Sequence, residues 1–315
     1  MQCKIEWDIL SLQDWEDRFV NLRRSTLLQS YDYARAVCPL YHQKARWGLI
    51  VIDGVEAGLV QILEAGILGN LFHGVILDRG PLWFEGFGSK AHLSAFFATF
   101  NHQFPARPGR RRRVIPEVKE SELLEMQGFR RLPRPGYQTV WLDLRPDRDT
   151  LLTAMKSRWR NRVNKAARDG LIVEWDETGK TLSWLLTNYQ SDKSKKGYDG
   201  PSVKLLQAMA KTFIPQGRFL AGRAILDNRS IAAILILCHG SGATYQIGWS
   251  TDEGRKAAAH NFLLWQAVCR LKDKGINDFD LGGVNDDADN GNAKGIKQFK
   301  EGMGGQTVTY AGHFF

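Results

Sequence analysis

The segment Gly295–Gly305, "GIKQFKEGMGG", sets Lys297 and Lys300 on either side of Phe299 and follows them with glycines. A lysine fixed beside an aromatic wall can hold an anion or stabilise an oxyanion as it develops. Immediately upstream, "FDLGGVNDDADNGN" reads as an apolar strand breaking into an acidic, glycine-rich loop. Asp280 at the strand end, and Asp286 or Asp287 in the loop, are the right residue type for a general base. Strand ends are common site positions in open sheets, although each aspartate taken singly fits better as a cap of the next turn. A second chemistry lies in "KSRWRNRVNKAARDG". Helical spacing groups Lys156, Arg158, Arg162 and Lys165, and turns Val163 and Ala166–Ala167 inward. Such a basic stripe grips phosphates or faces water. Tyr245 and Trp249, four apart in "ATYQIGWS", are expected on one face of a strand, lining a cavity or the core. Arg79, before Gly80-Pro81, is of the type that takes a phosphate or carboxylate, whereas the Arg110–Arg113 run reads as a solvated approach to a strand.

These residues need a scaffold, and the sequence sketches one. "LLQSYDYARAV" reads as a loop entering a helix, with Ser30 as N-cap and Asp32 in the first turn. Strand hairpins are expected around Asp53-Gly54 and Asp227-Asn228. Amphipathic or gapped helices are expected over "KAHLSAFFATFNHQF", "ELLEMQGF", the basic segment closed by Gly170, the two halves of "TLSWLLTNYQSDKSKKGYDGPSVKLLQAMAKTF", and "HNFLLWQAVCRLKDKGI" closed by Gly275. Both halves therefore mix hairpins with packed helices, which indicates two related α+β domains. The boundary is expected near Asp143–Thr150, where Arg145-Pro146 interrupts the pattern.

A length of 315 residues, 43% hydrophobic, suits two cores. No stretch has the run of about 18 uncharged apolar residues that a membrane span needs. The opening "MQCKIEWDIL" lacks the features of a secretory signal. Cys3, Cys38, Cys238 and Cys269 have neither zinc-site nor disulfide-framework spacing. A reduced, cytoplasmic protein without stable membrane insertion or a metal is the expectation. The net charge of +9 is uneven: residues 1–149 carry 20 basic and 18 acidic side chains, residues 150–315 carry 23 and 16. The second half thus has the field that favours polyanions.

Taken in order, several of these stretches resemble one family. "GRAILDNRSIAAILILCHGSGATYQIGWSTDEGRKAAAHNFLLWQAVCRLKDKGINDFDLGG" is similar to the second acyltransferase-type domain of the FemABX family, the aminoacyl-tRNA-dependent transferases that add amino acids to peptidoglycan precursor peptides. "MKSRWRNRVNKAARDGL" resembles that family's basic helix. "FKEGMGG" resembles its C-terminal stretch, with Met303 where an aromatic residue is usual. "LLQSYDYARAV", "DRGPLW", "RRVIPEV" and "MQGF" are similar to first-domain motifs.

The resemblance implies an α+β chain of two tandem GNAT-like domains, each a twisted mixed sheet flanked by helices. Residues 1–147 form the acceptor side and residues 148–315 the basic transfer side. No segment is long enough for the coiled-coil arm of some relatives, so the compact form is implied. Lys300 is then the catalytic cation, Phe299 its wall and Asp280 the leading base. Arg79, Tyr31, Lys193, Tyr198, Tyr245 and Trp249 are substrate-binding candidates. Lys156, Arg158, Arg162, Lys165 and Lys297 are candidates for tRNA contact. The implied partners are aminoacyl-tRNA, as co-substrate with no bound cofactor, and a peptide or phosphorylated sugar-peptide acceptor. An acyl-CoA N-acyltransferase of the same superfamily is the alternative, with acetyl-CoA as co-substrate. Those enzymes seat the CoA pyrophosphate on a glycine-bearing loop at a helix N-terminus. Here "RKAAAH" puts Ala258 and His260 at the two glycine places, which hinders close backbone approach. A non-catalytic nucleic-acid-binding protein ranks last, because no such motif is present and the aromatics read as interior.

Overall fold

The computed structural model describes residues 1–122, 126–284 and 291–315. The chain divides into two compact units: Met1–Gln138 with Val308–Phe315, and Thr139–Thr307.

The first unit contains β1 (Cys3–Trp7), α1 (Leu12–Phe19), α2 (Tyr31–Tyr41), β2 (Lys44–Ile52), β3 (Val55–Ile67), β4 (Phe72–Gly80), β5 (Leu82–Trp83), α3 (Lys90–Gln103) and β6 (Arg110–Pro116). Its sheet has the order β1-β2-β3-β4-β6, with β5 beside β3. Asp53 and Gly54 both take left-handed φ, +48° and +85°, so the Asp-Gly pair closes the β2–β3 hairpin as expected. The Ser30 hydroxyl accepts from the Tyr33 N–H, which starts α2 at the expected cap. β4 and β6 are parallel and α3 lies between them in the chain, which makes a βαβ unit. Strand alternation then sorts the core. Ile50, Val60 and Leu77 pack with Phe96, Phe97 and Phe100 of α3, while Leu49 and Leu59 pack with Trp15 and Phe19 of α1. The expected helix "ELLEMQGF" is seen only at its ends, as a single turn at Glu120–Glu122 and a left-handed Gly128; residues 123–125 lie outside the described residues.

The second unit contains β7 (Gln138–Asp143), α4 (Arg148–Ala154), α5 (Ser157–Arg168), β8 (Ile172–Asp176), α6 (Leu182–Lys196), α7 (Val203–Phe213), β9 (Phe219–Leu226), β10 (Arg229–His239), β11 (Gly242–Ser250), α8 (Asp252–Lys256), α9 (Ala259–Asp273), β12 (Asp278–Gly283), α10 (Gly291–Glu301) and β13 (Gln306–Thr309). The sheet order is β13-β7-β12-β11-β10-β9-β8. Asp227 and Asn228, at φ +48° and +58°, turn the β9–β10 hairpin. β11 and β12 are parallel and connected through α9. On one face Trp159 and Val163 of α5 and Leu263, Leu264 and Val268 of α9 cover Ile234 and Ile236. α6 packs against β11, with Trp184 edge-on to Trp249 at 5.3 Å. The longest described helices have 15 residues, so no arm projects from them.

The division differs from the expected boundary between residues 147 and 148. β7 is a strand of the second sheet, because Leu142 pairs with Phe279 and Trp141 with Asp280. The last residues return to the first unit, where Val114 and Phe314 exchange backbone hydrogen bonds of 2.9 and 2.8 Å.

Candidate active site

The parallel pair β11–β12 keeps register only from Gly242/Asp278 to Thr244/Asp280. Just beyond, Ile236 pairs with Tyr245 but Leu235 pairs with Ile247, so Gln246 is one residue too many. This bulge bends β11 away, while β12 turns through Gly282 at φ +75°. Strand ends that part in this way are where open sheets place ligands. α10 delivers Lys300 here. The side chain is buried, with 9% exposure. Its Nζ donates to the Gly283 carbonyl at 3.0 Å and lies 5.7 Å from the Tyr245 ring centroid. The remaining Nζ–H groups meet no acceptor among the described residues. Burial pushes the ammonium down to about 8, against a weaker upward pull from Asp280.

Phe299 precedes Lys300 on the helix, so both border one region. Its carbonyl accepts from Trp159 Nε1–H at 3.0 Å, and its ring lies 5.7 Å from Trp159 and 6.2 Å from His260. His260 is the residue that sequence reasoning missed; the sequence marks it only as a side chain in place of a loop glycine. Its Nε2 lies 3.0 Å from Tyr245 Oη. Burial pushes the imidazole down to about 4, with Lys196 adding to the effect, so the ring is neutral at neutral pH. Burial likewise pushes the Tyr245 phenol up. Gly248 makes room for the pair, because a Cβ there would stand 2.0 Å from Tyr245 Oη and 2.3 Å from His260 Nε2.

Other candidates fall elsewhere. Asp280 is buried and accepts from the Thr139 hydroxyl and, at 2.9 Å, from the Gly282 N–H. Its negative charge also pulls the Lys300 ammonium upward. Asp286 and Asp287 lie outside the described residues. Trp249 does not share a face with Tyr245: the bulge reverses the alternation, so Trp249 pairs with Ala233 and meets α6. Arg79 is buried in an ion pair with Glu117, donates to Tyr310 Oη at 3.0 Å and stacks on that ring, so it is closed to a ligand. Tyr31, at the start of α2, stacks on Trp47 at 5.0 Å. Lys193 is committed to the Gly200 carbonyl at 2.6 Å. Tyr198 Oη donates to the Asp192 carboxylate at 3.4 Å, and its ring lies 6.3 Å from that of Tyr189. Arg158, Arg162 and Lys165 form an exposed stripe on α5, with Lys156 capping the helix. Lys165 pairs with Asp169, and Ala167 faces solvent with them instead of inward. Lys297 is half-buried on α10.

No group of three or more His, Cys, Asp or Glu among the described residues is placed to hold a metal. No described helix is long and apolar enough to cross a membrane. The four cysteines are free thiols.

The two α+β units, the second with parallel strands that part, have a tandem GNAT-like fold. Residues 153–301 match the family model described as an acetyltransferase (GNAT) domain. The structure is similar to that of FemX, at 17% identity and a TM-score of 0.79, over 98% of this chain and 96% of that one. The FemABX-type architecture read from the sequence is therefore present at the level of the fold. A conserved protein of unknown function from Bacteroides thetaiotaomicron VPI-5482 is similar at 13% identity and TM-score 0.61, over 99% and 98% of the chains. The C-terminal domain of a putative lysylphosphatidylglycerol synthetase from Agrobacterium fabrum is similar at 14% identity and TM-score 0.53, over 96% and 91%. No curated protein matches the chain.

Proposed function

We infer that the protein moves an amino acid from aminoacyl-tRNA to the amine of a peptide or sugar-peptide acceptor. The observation that carries this reading is Lys300: a buried ammonium with one N–H committed to Gly283 and the others directed to no described acceptor. In this reaction the amine nitrogen attacks the ester carbonyl carbon, an amide bond forms, and the ester C–O bond to the ribose breaks. The proton lost by the amine ends on the ribose oxygen. The ester is already activated, so the protein chiefly positions the reactants and stabilises the developing charge. Lys300 does this by donating to the carbonyl or ribose oxygen, and a group with pKa near 8 can pass a proton to a leaving alkoxide. Phe299 walls the pocket, and the α5 stripe with Lys297 contacts the tRNA phosphates. The acceptor belongs to the first unit on this reading, with Tyr31 as its candidate contact, while the ion pair of Arg79 with Glu117 argues against a ligand role for Arg79. The reaction uses soluble charged tRNA and is assigned to the cytoplasm.

One observation favours a second reading. Ala258 keeps a left-handed φ of +55° at the first glycine place of the CoA loop, and the matched family model is an acetyltransferase one. Against it, His260 stands at the start of α9 with its ring bonded to Tyr245. A transfer assay offering charged tRNA and acetyl-CoA side by side separates the two. Product is expected from charged tRNA; product from acetyl-CoA alone would overturn the first reading.

A further inference from the structure

The tip of the β3–β4 hairpin exposes four large apolar side chains in a row of six residues: Ile67 at 65%, Leu68 at 74%, Leu71 at 58% and Phe72 at 53%. Ile67 and Phe72 are cross-strand partners, so they stand on one side of the ribbon. Leu68 and Asn70 adopt left-handed φ with Gly69 between them, a turn that holds the leucines outward instead of folding them onto the sheet. Scattered apolar residues on a surface need no explanation, but a contiguous patch at a protruding tip does.

Beside the tip lies an open groove of about 680 Å³ lined by Arg107, Arg110, Arg111, Arg112 and Arg130, with Phe315 among its other walls. The two features are bonded together. The Arg107 guanidinium donates to the carbonyls of Leu71, at 3.2 Å, and Asn70, and Arg110 follows His73 in the parallel register of β4 and β6. Among the described residues none of the five arginines meets a carboxylate within ion-pair distance. Arg107 and Arg110 lean on carbonyls and on His73, and Arg112 on Asn101 and the Phe104 and Gly128 carbonyls. The Arg111 side chain makes no described hydrogen bond or ion pair. Burial pushes the guanidinium groups of Arg110 and Arg112 down, and each is pushed further by a neighbouring arginine. Elsewhere on the same unit arginines are neutralised, as in Arg113 with Asp78 and Arg131 with Glu120. The groove therefore concentrates positive charge, with Glu64, which lies beside His73, as a partial counter-charge to Arg110.

We propose that the β3–β4 tip and the arginine groove together form a docking surface for an anionic lipid bilayer, with the tip entering the acyl boundary and the arginines holding phosphate headgroups. An aliphatic wedge flanked by like-signed basic residues is the pattern that lies in a membrane interface. A single-stranded nucleic-acid site would instead offer aromatic faces open for base stacking along its basic track; here Phe129 is buried beneath Arg112, the Phe315 ring stacks under Arg130, and the tip is chiefly aliphatic. A protein interface core is depleted of charge, whereas here five arginines adjoin the apolar patch. Two weak signals combine, as membrane anchoring generally requires. The contact is peripheral and does not depend on the transfer chemistry of the second unit.

Co-sedimentation with vesicles tests this. One set is made of equal parts phosphatidylglycerol and phosphatidylcholine, the other of phosphatidylcholine alone. The intact protein should partition onto the mixed vesicles and lose that partition in high salt. The double variants Leu68→Ser/Leu71→Ser and Arg111→Glu/Arg130→Glu change only exposed side chains, so circular dichroism should be unchanged. Each should lower the partition coefficient by about tenfold or more, from the lost apolar burial or the lost charge attraction respectively. Equal partition onto both vesicle types overturns the proposal. So does partition that survives the leucine changes, or tight binding of a homopolymeric RNA through the same arginines with no vesicle binding.

Discussion

The ammonium of Lys300 lies 5.7 Å from the centre of the Tyr245 ring, and Tyr245 is hydrogen-bonded to His260. The cation thus faces an aromatic group held in place from behind. Its acidity follows from burial, and a pH dependence follows from that. If the charged form does the work, transfer falls as pH rises through about 8. An exposed lysine would hold its charge to about 10.4. Folded Lys300 binds its proton less tightly than the unfolded chain does. Stability should therefore rise, not fall, as pH climbs from about 8 toward the ordinary lysine value of 10.5. Lys300→Met should cut transfer by about a hundredfold to a thousandfold and leave the melting temperature unchanged or raised. A pH–rate profile and thermal unfolding read both effects; wild-type transfer by the variant removes Lys300 from the mechanism.

Asp280→Asn separates a base from a positioning group. The amide keeps an acceptor for the Thr139 hydroxyl and the Gly282 N–H but removes the negative charge that raises the Lys300 pKa. The expected result is near-normal transfer at slightly acidic pH with the alkaline limb moved to lower pH. A uniform loss of rate at every pH would restore Asp280 as the base.

Gly248→Ala puts a methyl carbon into the space shared by Tyr245 Oη and His260 Nε2. Overpacking of this kind costs about 1–3 kcal/mol. With the ring displaced toward water, the His260 pKa should climb from about 4 toward its ordinary 6.5. Histidine NMR titration and thermal unfolding follow the two effects. An unshifted titration with unchanged stability would show that the close contact is not held in solution.

Arg79→Met is expected to damage the fold and not merely a binding step. It strands Glu117 in a largely buried place where, among the described residues, the Tyr310 hydroxyl is its one remaining side-chain donor. Breaking a buried pair from one side costs about 3–5 kcal/mol, and adding Glu117→Gln should recover part of it. Denaturant unfolding measures this. A single variant of full stability with only a raised KM for acceptor would return Arg79 to the ligand site.

Much of the frame is legible because turn chemistry is local. Asp53-Gly54 and Asp227-Asn228 name their hairpins, and Ser30 names its helix, without help from distant residues. The exposed stripe of α5 follows from spacing alone. What is hidden depends on tertiary context. Nothing in "ATYQIGWS" marks Gln246 as the extra residue, since no glycine or proline stands at the bulge, so Tyr245 and Trp249 read as one face when they serve two. Arg79 reads as an anion site because Glu117 is 38 residues away. His260 acquires a role only when α9 packs beside β11 and brings it to Tyr245. The strand Gln138–Asp143 sits before the interruption at Arg145-Pro146, yet its hydrogen-bond partners lie well over a hundred residues later.

The return of Val308–Phe315 to the first unit also orders events on the ribosome. Ala311 and Phe314 belong to the core built around α3, and Phe314 supplies the backbone partners of Val114. The half of the protein that is synthesised first is consequently the last to be finished. Its nascent form must wait, with part of its core unfilled, until the whole of the second unit has emerged.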